Sequence, residues 1–541
     1  MTKIVYAVGV VLALTSGEAA SPPARPAAAP TAPAAATKLS PFETRADLTP
    51  QCPIDQFVFA KFKQFGIQPA HLSSDAAFLR RAYLDVIGTL PTAREAREFL
   101  DSKDAGKRAA LVDRLLARDE FADYWANKWS DLLRVKAEFP INLWPRAAQA
   151  YHQWIWASMK ANKPYDQFAR ELLTANGSNF RDPAVNFYRA MQNKDPLSIA
   201  QTVALTFMGA RADKWPKDRL AGMAAFFSRI GYKETSEWKE EIVFFDPERI
   251  AAKNTNAVAC AVTTFPDGTP AACAPDRDPR ELFADWLVKP ANPWFTRAIA
   301  NRVWFWLLGR GIIHEPDDIR ADNPTTNPEL LEYLEQETIR ARYDLKHLFR
   351  LILNSKTYQL SCIAKDTRTG AEMYFAHYPM RRLDAEVLAD ALNHVTGTTE
   401  KYTSAIPEPF TFIPEKQRSI ALPDGSIGSP FLELFGRPPR DTGQETERNS
   451  RPTPEQRLHM LNSSHIQKKI QDSPKLQYVA RNAKDPTDAV TWLYLMILSR
   501  YPTAPEWEAI TAHSKTGVKG QESVIDLAWA LINSAEFLYR H

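Results

Sequence analysis

The sequence is poor in the residues that build cofactor and redox sites. Four cysteines occur in 541 residues, Cys52, Cys260, Cys273 and Cys362, and no two of them form Cys-x-x-Cys. The c-type haem attachment motif is therefore absent, and the cysteine spacings do not suit a four-thiolate zinc site. The 10 histidines are scattered, and none falls in His-Glu-x-x-His. There is no P-loop and no Gly-x-Gly-x-x-Gly, and Gly425-Ser426-Ile427-Gly428 lacks the Gly-x-Ser-x-Gly spacing of a nucleophile elbow. No metal and no cofactor is expected. Lys and Arg number 67 and Asp and Glu 64, a net charge of +3 with no basic block, so a nucleic-acid partner has no electrostatic basis. Glycine is scarce, 20 residues against 40 prolines, which suits helices with proline-marked starts. Beyond the N-terminus no apolar run is long enough to cross a membrane.

The chain begins with an address. Lys3, the apolar run 4–14 and Gly17-Glu18-Ala19 form the charged, apolar and small-residue parts of a signal peptide over 1–19. Residues 20–47 are Ala/Pro-rich and are expected to be a disordered tether. The mature protein is expected in the periplasm or outside the cell, where thiols can oxidise. Cys260 and Cys273 flank the turn signal Phe265-Pro266-Asp267-Gly268 and are expected to close a local disulfide. Whether Cys52 and Cys362 pair is open.

The remainder reads as mainly α: helical domains over 48–232 and 278–541, joined by a small β-hairpin connector over 233–277. Residues 278–318 set the pattern. Asp278 can cap a helix with Pro279 at its first position, and Pro290 and Pro293 break it. The next helix carries Phe295, Ala298, Ile299, Val303, Trp306 and Leu307 on one stripe and stops at Gly309 and Gly311. Arg302 falls inside that stripe, so its guanidinium needs a carboxylate or several carbonyls. In the first half a helix from Ser74 or Asp75 has Phe78, Leu79, Ala82, Tyr83 and Val86 on one face, with Arg80, Arg81 and Asp85 on the other side. Thr92 with Glu95 and Thr503 with Glu506 form capping boxes. The β-prone pieces 241–245 and 257–264 supply the connector. A helix spans 381–393, another 458–469. Residues 398–453, rich in Pro, Thr and Gly, read as irregular, with disorder the plainer expectation.

Several pieces of the chain are similar to the secreted family known from planctomycetes and related bacteria as PSCyt with its C-terminal PSD partner. In the first half these are Ile54-Asp55-Gln56-Phe57-Val58, the run Arg80-Arg81-Ala82-Tyr83-Leu84-Asp85, Leu90-Pro91-Thr92 and 125–131. In the second they are 282–287, Asn301-Arg302-Val303-Trp304, Gly309-Arg310-Gly311, Arg381-Arg382-Leu383-Asp384-Ala385-Glu386, Leu434-Phe435-Gly436-Arg437-Pro438 and Leu461-Asn462. The resemblance covers nearly all of the mature chain and implies paired domains of unknown function, often attached to a cytochrome c domain. Two departures stand out. Members commonly carry Cys-x-x-Cys-His where this chain has the shortened 207–215, and Cys-Glu-Cys-Glu-Arg where it has Gln444-Glu445-Thr446-Glu447-Arg448. The joint loss implies that in relatives those cysteines serve one purpose.

Candidate chemistry is carried by charge. Asp384, Glu386, Glu445 and Glu447 are candidate catalytic carboxylates, with Asp390 beside them, and Arg302, Arg381, Arg382 and Arg448 are candidate binding cations. His314, Glu315, Asp317 and Asp318 could bind a hard cation or form a solvated acidic turn. If the first set surrounds one open pocket, the protein is expected to be a hydrolase, with polysaccharide as one substrate option. If it closes on itself without a cavity, the protein is a binding or scaffold component of an envelope or secreted system, with an unknown partner for which a carbohydrate is one option. The second is favoured. Elemental mass spectrometry of the mature protein exported to an oxidising periplasm is expected to find no stoichiometric iron or zinc; either metal would mean that carboxylates and histidines replace the missing cysteines.

Overall fold

In the computed structural model, which describes residues 39–249, 262–274, 276–515, 517 and 520–541, helices start where capping residues and prolines stand. Ser74 caps α1 (Asp75–Val86) by accepting from the Ala77 N–H. Then come α2 (Asp119–Leu132) and α3 (Pro196–Met208), capped by Asp195. Asp278 accepts from the Arg280 N–H to start α4 (Pro279–Leu287). The next helix, α5 (Phe295–Leu308), stops at Gly309 in the left-handed region. Last of those that carry the site is α6 (Ala385–Thr396). Both expected capping boxes form. The fold is mainly α, and the described strands are short and pair antiparallel.

One continuous apolar core runs through both halves. Its spine is aromatic and crosses between them. Trp125 of α2 lies 5.0 Å from Trp306 of α5 and 4.5 Å from Phe349, while Trp129 lies 5.8 Å from Trp306. Rings at these separations and tilted angles place positive edges against negative faces. Backbone pairing crosses too, since Leu72 bridges Leu360 and the Ser361 N–H donates to the His71 carbonyl at 2.7 Å.

Several expectations are corrected. The connector is not one hairpin of 241–245 with 257–264. Instead β1 (Ile230–Glu234) pairs with β2 (Glu241–Phe245), and Val262–Thr264 pairs with Pro270–Ala272. The tight turn 235–240 makes the nearer partner the cheaper one to close. The tether is ordered by residue 43, where Glu43–Thr44 pairs with Leu72–Ser73. Its earlier part and the signal segment lie outside the described residues. Cys260 also lies outside them, as does the disulfide expected of it. Cys52 and Cys362 are not bonded to each other. The helix expected at 381 begins at Ala385, because β3 (Arg381–Arg382) pairs with β4 (Tyr539–Arg540). The helix expected over 458–469 is two, Pro454–Asn462 and Ser464–Gln471, divided at Ser463, which caps the second.

The largest correction concerns polar residues. Arg80, Arg81 and Asp85 are buried, so α1 has no solvent side. The chain's C-terminus covers that side. Arg80 donates to the Ile497 and Phe537 carbonyls at 2.8 and 3.0 Å, and Arg81 to those of Tyr358, Leu360 and His541. Arg540 of β4 reaches Asp85 and Asp384, each at 3.0 Å. Replacing Arg540 by Met removes the cation that Asp85 and Asp384 share, leaving Asp384 with Lys128 and Asp85 with tyrosine hydroxyls. Urea unfolding at pH 7 is expected to show a loss of about 3–5 kcal/mol, the cost of breaking a buried ion pair by removing one partner.

Candidate functional site

Most of the charged residues singled out by sequence assemble into a largely buried network around α2, α5 and α6, while Asp390 lies apart, 3.4 Å from Arg418 and accepting from the Ser419 N–H at 2.7 Å. The first part of it centres on Arg448. Its guanidinium forks, giving 2.6 and 2.9 Å bonds to the two Glu386 oxygens and a 2.6 Å bond to Asp131 Oδ2. Asp131 Oδ1 accepts from Arg440 Nε at 2.9 Å, and Arg440 Nη2 donates to Asn127 Oδ1 at 2.7 Å. Arg437 stands 3.6 Å from Glu386. Burial opposes ionisation of Glu386, but Arg448 and Arg437 override it and hold its pKa down at about 2.

The second part centres on Asp384, which accepts from Lys128 Nζ at 2.9 Å and Arg540 Nη2 at 3.0 Å. Buried as it is, Asp384 is held well below the usual carboxylate range by Lys128 and Arg540. Asp85 closes this side, taking the Tyr358 and Tyr378 hydroxyls at 2.9 and 2.8 Å. Arg381 donates to the Leu307 carbonyl and the Tyr378 hydroxyl, both at 2.8 Å. It lies across Gly309, whose φ is +70° and where a Cβ would stand 2.5 Å from the Arg381 Cδ. Arg382 donates to three carbonyls, those of Leu383, Phe435 and Asn449.

The third part is built on Arg302, which is 1 % exposed. It donates to the Thr206 and Leu205 carbonyls at the end of α3 and to Asp317 Oδ1 at 2.9 Å. Both partner types expected of its guanidinium are present. Asp317 Oδ2 accepts from the Glu445 N–H at 2.7 Å, and Glu445 Oε1 accepts from Trp306 Nε1 at 2.7 Å. Burial and the neighbouring Asp317 raise the Glu445 pKa to about 7. Glu447 stands apart from the ion pairs and accepts from the Asp441 and Thr442 N–H groups; burial raises its pKa.

The two segments where the family's cysteines are missing therefore meet. Arg302 holds the carbonyls that lead into 207–215 on one side and stands 3.7 Å from Glu445 on the other. Gly209 sits tightly under this loop, since its carbonyl accepts from the Ile319 N–H at 2.8 Å and a Cβ there would be 2.8 Å from the Pro316 carbonyl. The acidic run 314–318 is drawn into the same joint. Asp317 pairs with Arg302, Glu315 with Arg211 at 3.3 Å and Asp318 with Arg320 at 3.2 Å, so its carboxylates do not face one point. Among the described residues no three His, Cys, Asp or Glu side chains are placed to hold a metal ion.

Sequence reasoning missed Asp85, Lys128, Asp131, Arg437, Arg440 and Arg540. A signal existed for four of them: Asp85, Lys128, Asp131 and Arg437 lie inside the stretches that carry the family resemblance. The expected disorder of 398–453 is corrected by the same contacts. The segment is irregular, yet Arg437, Arg440 and Arg448 anchor it to α2 and α6, and Asp424 accepts from the Ala137 N–H at 2.9 Å. Two clefts are found, and the first adjoins the network at Trp306, the donor to Glu445. It is apolar, lined by Phe121, Trp125, Met159 and Trp306 among others, with free volume of about 10 Å³, that of one water. The other is a shallow surface hollow at Glu337, Arg340 and His347.

The architecture is thus that of a mainly helical protein whose two halves close over a shared ionic core. Residues 53–230 match the family model PSCyt2, a protein of unknown function (DUF1549), and residues 279–514 match PSD1, a protein of unknown function (DUF1553). The chain belongs to the PSCyt/PSD family, in which these domains are paired. No curated protein and no solved structure matches it. No helix of the described residues is long and apolar enough to cross a membrane.

The two perturbed glutamates give opposite pH signatures. Glu386, with its pKa lowered to about 2, adds stability that is present above its unfolded value of about 4.3 and is lost as pH falls toward 2. Glu445, raised to about 7, holds a proton in the folded state that the unfolded chain releases near 4.3, so stability falls as pH rises from about 4.3 to about 7. Urea unfolding between pH 4 and 8 is expected to show that decline in the wild type and its removal in Glu445→Gln.

Proposed function

We propose that this protein is an exported, non-catalytic binding or scaffold component of a cell-envelope or secreted system, given its shape by a buried ionic core. The single observation that supports this reading is the closure of the charged network. Asp384 and Glu386 are engaged by Lys128, Arg540 and Arg448, Glu445 by Trp306 and Glu447 by backbone N–H groups. A general acid or base must reach the substrate proton directly or through one water. Neither cleft is lined by any of these four carboxylates. The signal-like 1–19 supports export.

A hydrolase, directed at polysaccharide, is the second reading, and one observation favours it. Glu445 is held near neutrality while Glu386 is held ionised, and acid–base pairs use carboxyl groups whose environments push their pKa values apart. The two readings separate in a turnover assay. Release of reducing ends from a panel of polysaccharides is expected to stay at the buffer rate for the wild type and for Glu445→Gln. Turnover by the wild type that drops about 100-fold or more in Glu445→Gln, the usual size of a general acid–base contribution, would instead establish the hydrolase.

A further inference from the structure

Away from the ionic core, large rings stand in solvent on one surface. Trp144, Trp238 and Phe410 come from separate segments and meet edge to face. The Trp144 and Trp238 centroids are 6.4 Å apart at 85°, and those of Trp144 and Phe410 are 5.4 Å apart at 62°. Trp238 is 68 % exposed and Phe410 49 %. Phe139 and Phe412, both more than half exposed, lie on the same loops. Those loops are tied together, since Glu138 accepts from the Ala405 N–H at 3.2 Å. A single exposed ring is ordinary, but a group of them marks a binding surface.

The backbone is strained to present these rings. Trp144 has φ 72° and ψ 146°, a region open almost solely to glycine. Lys239 and Asn142 beside it are also left-handed, with φ 61° and 60°. Backbone strain of this kind gathers at ligand clamps.

Charge narrows the ligand. The Lys239 ammonium stands 5.2 Å from the centroids of both Trp144 and Trp238. It is exposed and has no carboxylate in ion-pair reach among the described residues. Arg146 and Arg181 share Glu237, and Arg146 also lies 4.1 Å from the Phe180 ring centroid. A cationic ligand would meet the Lys239 ammonium, the one cation here that no carboxylate pairs among the described residues. A nucleic acid needs a track of cations for successive phosphates, and one unpaired ammonium offers none. A sugar ring carries polarised C–H bonds that suit the negative face of an indole. One carboxylate or sulfate on that sugar would pair with Lys239.

We propose that the Trp144–Trp238–Phe410 corner binds an acidic polysaccharide, with a sugar ring against the tryptophans and its anionic group on Lys239. This rests on the binding reading above and names its ligand class. The test is biolayer interferometry of the full chain at 150 mM salt against immobilised alginate, a polyuronate, and carrageenan, a sulfate ester. Neutral hydroxyethyl cellulose and a single-stranded oligothymidylate serve as comparisons. Binding to at least one acidic polymer is expected, about 10-fold weaker in Trp238→Ala and about 5-fold weaker in Lys239→Met, and unchanged in Tyr478→Ala, which removes an exposed ring elsewhere. All three side chains are exposed, so thermal melts should stay at the wild-type value. The proposal is overturned by no binding to either acidic polymer, by binding that Trp238→Ala leaves intact, or by tighter binding to the oligothymidylate. Such a failure leaves the non-catalytic reading to be judged by the turnover assay alone.

Discussion

The fork made by Arg448 is the interaction on which the rest depends. One guanidinium from an irregular segment joins Glu386 of α6 to Asp131 of α2, and so joins the two halves of the chain. Arg440 repeats the link to Asp131, and Arg540 repeats it at Asp85 and Asp384. Buried ion pairs add little net stability over apolar packing, because desolvation offsets most of their attraction. Their effect lies in the alternatives. A half docked out of register would leave several charges buried without partners, each costing several kcal/mol. The aromatic spine of Trp125, Trp129, Trp306 and Phe349 supplies the burial, and it tolerates more than one arrangement of its rings. The planar forks of the arginines do not.

The same logic explains what stands where relatives have cysteines. The end of α3 and the 444–448 segment are far apart in sequence, yet both close on Arg302 and Asp317. Here a buried salt bridge, an indole N–H and a raised carboxyl occupy that joint. In this chain the joint holds protein to protein.

Interior and surface thus divide the work. Inside, the charges pair with one another and tie the two halves together. Outside, the Trp144–Trp238–Phe410 corner carries rings that no core demands, on a backbone strained to present them. A rigid body that displays such a surface is what a binding component requires, since little ordering is left to do on association.

Local signals were legible in the sequence because they are local. Asp278 with Pro279, the capping boxes at Thr92 and Thr503, and the stop at Gly309 each depend on residues within one turn, and each forms. The stripe of α5 likewise implied that Arg302 is buried and needs a carboxylate or several carbonyls, because a period of 3.6 places it among apolar residues; it has Asp317 and two carbonyls. Membership of the family was legible too, from motifs spread along both halves. Which carboxylate meets which arginine was not. Asp85 meets Arg540 across 455 residues and Arg448 meets Asp131 across 317, and no periodicity encodes such pairs. The misread side of α1 has the same cause: Arg80 and Arg81 look solvent-facing until the last residues of the chain cover them. Sequence alone determined most of the helices, the caps that close within one turn and the family. The tertiary structure alone decided that the charges close on one another, because ion pairing depends on distance in space and not on separation along the chain.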